Sequence, residues 1–231
     1  MILTESQYRQ LSGDTRSPWI STGDVAGAST FVPLAEEEVE SYLATFLVPT
    51  EHTEENAIDF IDTVRMGQII NREARIKLKK VRLLTGSSYP ITVVFYPRLT
   101  TGSTSTKTTG IRVIEKRKAE LDVWEAWRYL CDKTPERVEI TYWAGFTEVP
   151  YRARQAVALL TREKARESIV KSGVVMDDDY PHYAQVKSLS ALGISRSFDV
   201  DGYMSYFGKS PLAQYVERIL TPLQVKRVRG V

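Results

Sequence analysis

The chain contains one cysteine, Cys131, and two histidines, His52 and His182. A single cysteine excludes an internal disulfide framework and any cysteine-based zinc cluster, and it suits a reducing interior such as bacterial cytoplasm. A histidine-based triad or zinc site would have to use one of the two histidines. His52 falls in an acidic stretch read as an inter-helix linker, and His182 follows Pro181 in a loop, so both are expected at the surface. No apolar run approaches the roughly 18 residues a membrane-spanning helix needs. The opening MILTESQYRQ has no basic region followed by an apolar stretch, so no secretory signal is expected there. Also missing are the phosphate-cradling GxxxxGK[ST], the dinucleotide GxGxxG, the nucleophile-elbow GxSxG and the metalloprotease HExxH. The sequence therefore predicts no enzyme and no cofactor. Asp177, Asp178 and Asp179 could chelate a divalent cation or simply form a solvated acidic loop.

One stretch also lacks positive charge altogether. Between Ser17 and Val64 there are ten acidic residues and no lysine or arginine, whereas from Arg65 onward 29 basic residues face 17 acidic ones. Either the two regions are solvated faces of one domain, or they are complementary surfaces that meet between subunits or on an acidic partner. The remaining composition, 42% hydrophobic and 26% charged over 231 residues, is enough to bury a substantial core.

Residues 1–34, rich in Ser, Thr, Gly and Pro, read as an extended N-terminal arm anchored by Trp19, Ile20, Phe31 and Val32. A helix is predicted from Leu34 to Leu47, with Val39, Tyr42, Leu43, Phe46 and Leu47 on one stripe, Glu36, Glu37 and Glu38 in its first turn, and Pro49 as its stop. A second helix is predicted from Thr53 to about Asn71 on the stripe Ala57, Phe60, Ile61 and Val64, which would complete an antiparallel helix pair over 35–71. A β region over 75–146 follows. Ile76 and Leu78, Ile91–Tyr96, Ile111–Glu115 and Val138–Tyr142 read as strands, and a Thr/Ser-rich hairpin tip is expected over 99–110. Trp124, Trp127 and Leu130 have helical spacing. A long helix is predicted over 150–171, with Pro150 at its first position and Ala153, Ala156, Val157, Leu160, Lys164 and Ile169 along one face. Residues 189–207 alternate loosely, Pro211 opens a last helix to Leu220, and a tail follows. The fold class is α+β: a helical core, a small antiparallel sheet and extended arms at both ends. The expected divisions are an arm (1–34), a core (35–208) and a C-terminal helix with a docking arm (209–231).

Two features bear on partners. Trp124, Trp127, Tyr142, Trp143 and Phe146 could stack nucleobases, but in a strand–helix layer they read first as core. The tail mixes the basic Lys226, Arg227 and Arg229 with the apolar Leu220, Leu223, Val225 and Val228. Without interleaved aromatics this is a weak phosphate-binding signal and a better protein-docking one. Each apolar side chain could add about 1.5–3 kcal/mol on burial before ordering costs.

The segment from Val138 to Ile169, VEITYWAGFTEVPYRARQAVALLTREKARESI, resembles the head–tail connector family of tailed bacteriophages, which shows a strand ending in Tyr-x-Ala-Gly-Phe/Tyr, then Val-Pro and a long Ala- and Leu-rich helix. The matching residues are Tyr142, Ala144, Gly145, Phe146, Val149, Pro150, Ala156 and Leu160. The helix pair expected over 34–71 is similar to that family's opening helices, and the stretch from Ser195 to Gly230 to its end. The resemblance implies a ring, a dodecamer in that family, at the virion neck. It would sit beneath the portal protein, receive a stopper or tail protein and continue the channel for genomic DNA, with no membrane partner. It further implies that Leu220, Leu223, Val225, Lys226, Arg227, Val228 and Arg229 dock on the portal, and that the loop carrying Thr104 and Lys107 faces the channel or the stopper. Another virion assembly component, such as a tail-completion or baseplate protein, and a DNA-binding accessory protein remain the alternatives.

Overall fold

The computed structural model describes residues 1–23, 25–65, 68–97, 104–128, 135–171, 188–191, 194–197 and 211–225. The fold is α+β, and the chain forms two compact units, one from Met1–Leu43 with Val149–Gln224 and the other built on Ala44–Glu148.

The first unit is helical. Helix α1 (Glu5–Ser12) opens with a capping box: Thr4 Oγ1 accepts from the Gln7 backbone N–H while Gln7 Oε1 accepts from that of Thr4. Gly13, at φ 65°, closes it. Helix α2 (Ala28–Leu43) buries Ala28, Val32, Ala35, Val39 and Leu43 along one stripe. Helix α4 (Tyr151–Lys171) packs against α1, α2 and α5 (Pro211–Leu220). Nine of its side chains are buried, from Ala153 to Ile169, and the alanines at 153, 156, 158 and 165 let neighbouring backbones come close. Two polar contacts fix its neighbours: Arg162 donates to the Ser12 carbonyl at the end of α1, and Lys164 Nζ lies 2.6 Å from Glu38 on α2. Strands β9 (Ser188–Ala191) and β10 (Ile194–Ser197) form an antiparallel pair.

The second unit is a pair of four-stranded antiparallel sheets. One has the order β1-β8-β4-β5, from β1 (Thr50–Asn56), β8 (Pro135–Ala144), β4 (Thr92–Pro97) and β5 (Ser105–Lys107); the other has the order β2-β3-β7-β6, from β2 (Asp59–Arg65), β3 (Gln68–Lys77), β7 (Glu120–Asp122) and β6 (Arg112–Glu115). Alternation along the strands sends Val93, Phe95, Val138, Ile140 and Tyr142 from the first sheet, and Ala74, Ile76 and Leu121 from the second, into one core. Short helix α3 (Trp124–Arg128) sets Trp124 and Trp127 against that core, their rings 5.0 Å apart. Trp124, Trp127, Tyr142 and Phe146 thus serve as core and core lining, whereas Trp143, on the other face of β8, is half-buried with its ring 5.7 Å from that of Tyr89.

Four expectations need correction. Residues 53–65 and 68–71 are not helical; they lie in strands β1, β2 and the start of β3 and in the short link between β1 and β2. The spacing of Ala57, Phe60, Ile61 and Val64 fitted a helical face, yet pairing decided otherwise: β1 runs in register with β8, from Thr50 opposite Ala144 to Asn56 opposite Val138. Residues 1–34 are not an extended arm, since α1 and the first turns of α2 lie within them. Pro33 sits inside α2, exposed to solvent, where its missing N–H forgoes only the bond to the Ser29 carbonyl. At its other end α2 stops at Leu43 and does not reach Leu47, because Ala44 takes φ 50°. Finally, the segment 111–115 does not return beside β4. Strand β5 does so, with Lys107 opposite Val93, while β6 joins β7 in the other sheet. Of the hairpin tip expected over 99–110, residues 99–103 lie outside the described residues and 105–107 form β5.

Candidate functional site

The segment from β8 into α4 carries the most specific sequence signal. Tyr142 is fully buried, and its hydroxyl accepts from the Lys80 backbone N–H at 3.1 Å. Ala144 is buried as well, paired with Thr50 on one side and bridged to Leu83 on the other. Gly145 follows at φ 137°, a conformation L side chains rarely adopt. Its N–H donates to the Arg82 carbonyl at 3.2 Å. The Phe146 ring is held under the Arg82 guanidinium, whose carbon lies 4.4 Å from the ring centroid. Pro150 then precedes α4, and its carbonyl accepts from the N–H groups of Ala153 and Arg154. Tyr142, Ala144, Gly145, Phe146 and Pro150 therefore hold the positions a strand, a sharp turn and a helix start require.

His52 is no linker histidine. On β1 it lies opposite Tyr142, with its ring edge-on to Tyr142 and to Phe46 at 5.7 and 5.5 Å. The adjacent Glu54 is buried and accepts from the Lys79 backbone N–H and from Asn56 Nδ2, both at 2.7 Å. This is a structural knot. Among the described residues no group of three or more His, Cys, Asp or Glu side chains could hold a metal ion, and no helix is long and apolar enough to cross a membrane. His182, Cys131 and Asp177–Asp179 lie outside the described residues.

The residues read as a docking arm divide. Leu220 is fully buried on α5, with Leu212, Ala213 and Val216, so it belongs to the helical core and has no surface to offer a partner. Leu223 and Val225 are half-buried. A 3₁₀ turn over Thr221–Leu223 leads to Gln224, whose amide donates to the Tyr42 carbonyl at 3.4 Å. Lys226, Arg227, Val228 and Arg229 lie outside the described residues. Thr104 is exposed just before β5, and Lys107 ends that strand half-buried.

The acidic stretch is placed in two ways. Its first part lies on α2, where Glu38 pairs with Lys164 and Glu36 accepts from the Ile2 backbone N–H. Its second part lies on β1 and β2, where Glu55 pairs with Arg137. Part of the charge split is thus neutralised within the chain. Sequence reasoning put the second part on a helix and overlooked the basic turn Lys116–Lys118 after β6.

No protein-family model matches this chain, and no curated protein sequence matches it. Among solved structures, one described as the neck of an empty GTA particle computed with C6 symmetry aligns over 99% of this chain and 92% of that chain, at 15% identity and a TM-score of 0.48.

Proposed function

We propose that this chain is a structural, non-catalytic subunit of a tailed-phage virion, forming a ring adaptor at the neck between the portal and a stopper or tail protein and continuing the DNA channel. The observation that carries this reading is the segment Tyr142–Leu160. Its Ala-Gly-Phe turn, Pro150 and long alanine-rich helix resemble the connector family residue by residue, and each residue has a structural reason to be there. A helix such as α4, surrounded by α1, α2 and α5, makes a rigid block suited to repetition around an axis. The segment after Gln224, which mixes apolar and basic residues, suits docking on the portal, and a modest contact repeated around a ring gives large avidity. In this reading the ring is a dodecamer, assembled in the bacterial cytoplasm and carried in the virion.

The test is to mix the purified chain with the portal protein and examine the product by native mass spectrometry and negative-stain microscopy. A ring of twelve copies seated on the portal is the expected result. No portal binding, or a stoichiometry far from twelve, would overturn the reading.

A further inference from the structure

In the second unit both sheets run between the same two stretches of chain. Strands β1 and β2, joined through residues 57 and 58, form the first edge of each sheet, and β5 and β6, joined through 108–111, form the last. Three strand spacings, about 14 Å, separate the edges within each sheet. The first edge pair is acidic, with Glu51, Glu55 and Asp59 exposed, and its one basic residue, Arg65, ends β2. The opposite pair carries Lys107, Arg112 and one acid, Glu115, and runs on into Lys116, Arg117 and Lys118.

Local pairs absorb part of this charge: Glu55 with Arg137, Arg112 with Glu73 and Asp122, Lys118 with Glu115. Glu51 and Asp59 on one edge, and Lys107, Lys116 and Arg117 on the other, form no ion pair with another described residue. Exposed apolar side chains lie on the same strands: Phe60 and Ile61, 47% and 38% exposed, on β2, and Ile114, 38% exposed, on β6. An edge strand also presents unpaired backbone groups, a ready template for another chain.

We infer that the acidic β1–β2 edge of one copy docks against the basic β5–β6 edge of the next. Edges of the same sign repel, so a two-fold pairing of like edges is disfavoured. Unlike edges attract and lead to head-to-tail contacts, the kind that close into rings. This inference rests on the ring reading above and names the subunit contact within it.

The experiment uses the full chain and two double variants, Glu51→Lys with Asp59→Lys and Lys116→Glu with Arg117→Glu. All four positions are exposed, so melting temperatures should match wild type. Self-association is followed by sedimentation velocity and native mass spectrometry at low and moderate salt. Wild type is expected to self-associate, more weakly as salt rises. Each variant alone should dissociate at concentrations at least about tenfold higher than wild type, as two reversed pairs imply. An equimolar mixture should reassociate, because one variant now has two basic edges and the other two acidic ones. Wild-type-like assembly of either variant, folded variants that fail to associate when mixed, or a wild-type chain that stays monomeric would each overturn the edge contact. The portal mixture decides the ring separately, so a ring indifferent to these reversals would remove the edge contact alone.

Discussion

The backbone of Gly145 passes so close to the carbonyl group of Val48 that no side chain fits between them. A Cβ at Gly145 would overlap the Val48 carbonyl oxygen and lie 2.8 Å from its carbon. Both neighbours are backbone and cannot swing away, and the φ of 137° adds strain for any other residue. Gly145→Val should therefore destabilise the second unit by at least about 2 kcal/mol. In a chain of this size that lowers the melting temperature by roughly 4–8 °C or more, read by thermal unfolding. A wild-type melting curve would refute this account of the turn.

Burial at Leu220 separates core from docking arm. Leu220→Ala should cost about 2–5 kcal/mol, because the side chain is fully enclosed and its removal leaves a cavity. Truncation after Gln224 should leave the melting temperature unchanged but abolish attachment to the portal. Denaturant unfolding and a portal pull-down, run on both variants, give opposite patterns if the boundary is drawn correctly.

Tyr8 and Asp14 form a buried pair in which the phenol donates to Asp14 Oδ2 at 2.6 Å. Burial, and then the neighbouring Asp14 carboxylate, push the Tyr8 hydroxyl well above the usual phenol range. Burial would also raise Asp14, but donation from the Tyr8 hydroxyl and from the backbone N–H groups of Arg16 and Ser17 outweighs it and holds the carboxyl below its ordinary 3.8. A depressed carboxyl contributes stability above its unfolded value and loses it as pH falls through the folded one. Tyr8→Phe should cost about 1–3 kcal/mol near neutral pH, and the gap from wild type should narrow below pH 3.8. Urea unfolding across that range measures both.

The Glu38–Lys164 pair joins α2 to α4 with both side chains partly exposed. Solvent screening holds its coupling to about 0.5–1 kcal/mol. A double-mutant cycle of Glu38→Gln and Lys164→Gln should return that value at low salt and less at high salt. A coupling of several kcal/mol would mean the pair is far better shielded than its exposure implies.

Much of the helical unit can be read directly from the sequence. Pro150 and the Ala/Leu stripe located α4, and Pro211 located α5. The capping box of α1 is equally present in the sequence as Thr4-x-x-Gln7, but the surrounding Ser, Thr and Gly give the stretch the composition of an arm. The strands at 92–97 and 135–144 followed from β-branched and aromatic runs. Strand β1 did not, because it carries a buried glutamate, Glu54, where alternation would call for an apolar residue. Strand β2 lies at a sheet edge and exposes Phe60 and Ile61 on opposite sides, so its apolar residues mimic helical spacing. The β-branched content of Ile58, Ile61, Thr63 and Val64 was the signal that favoured a strand.

By itself the sequence determined the α+β class, the two C-terminal helices and the strand–turn–Pro–helix segment, because each depends on neighbours within a few residues. It also determined the charge split, which is composition alone. Only the tertiary structure decided that the second acidic stretch is a pair of edge strands, that its basic counterpart occupies the opposite edges, and that Leu220 belongs to the core. The reason is pairing over long separations. Residues 50–56 take their conformation from β8, some ninety positions away, and a local pattern cannot register a partner that distant.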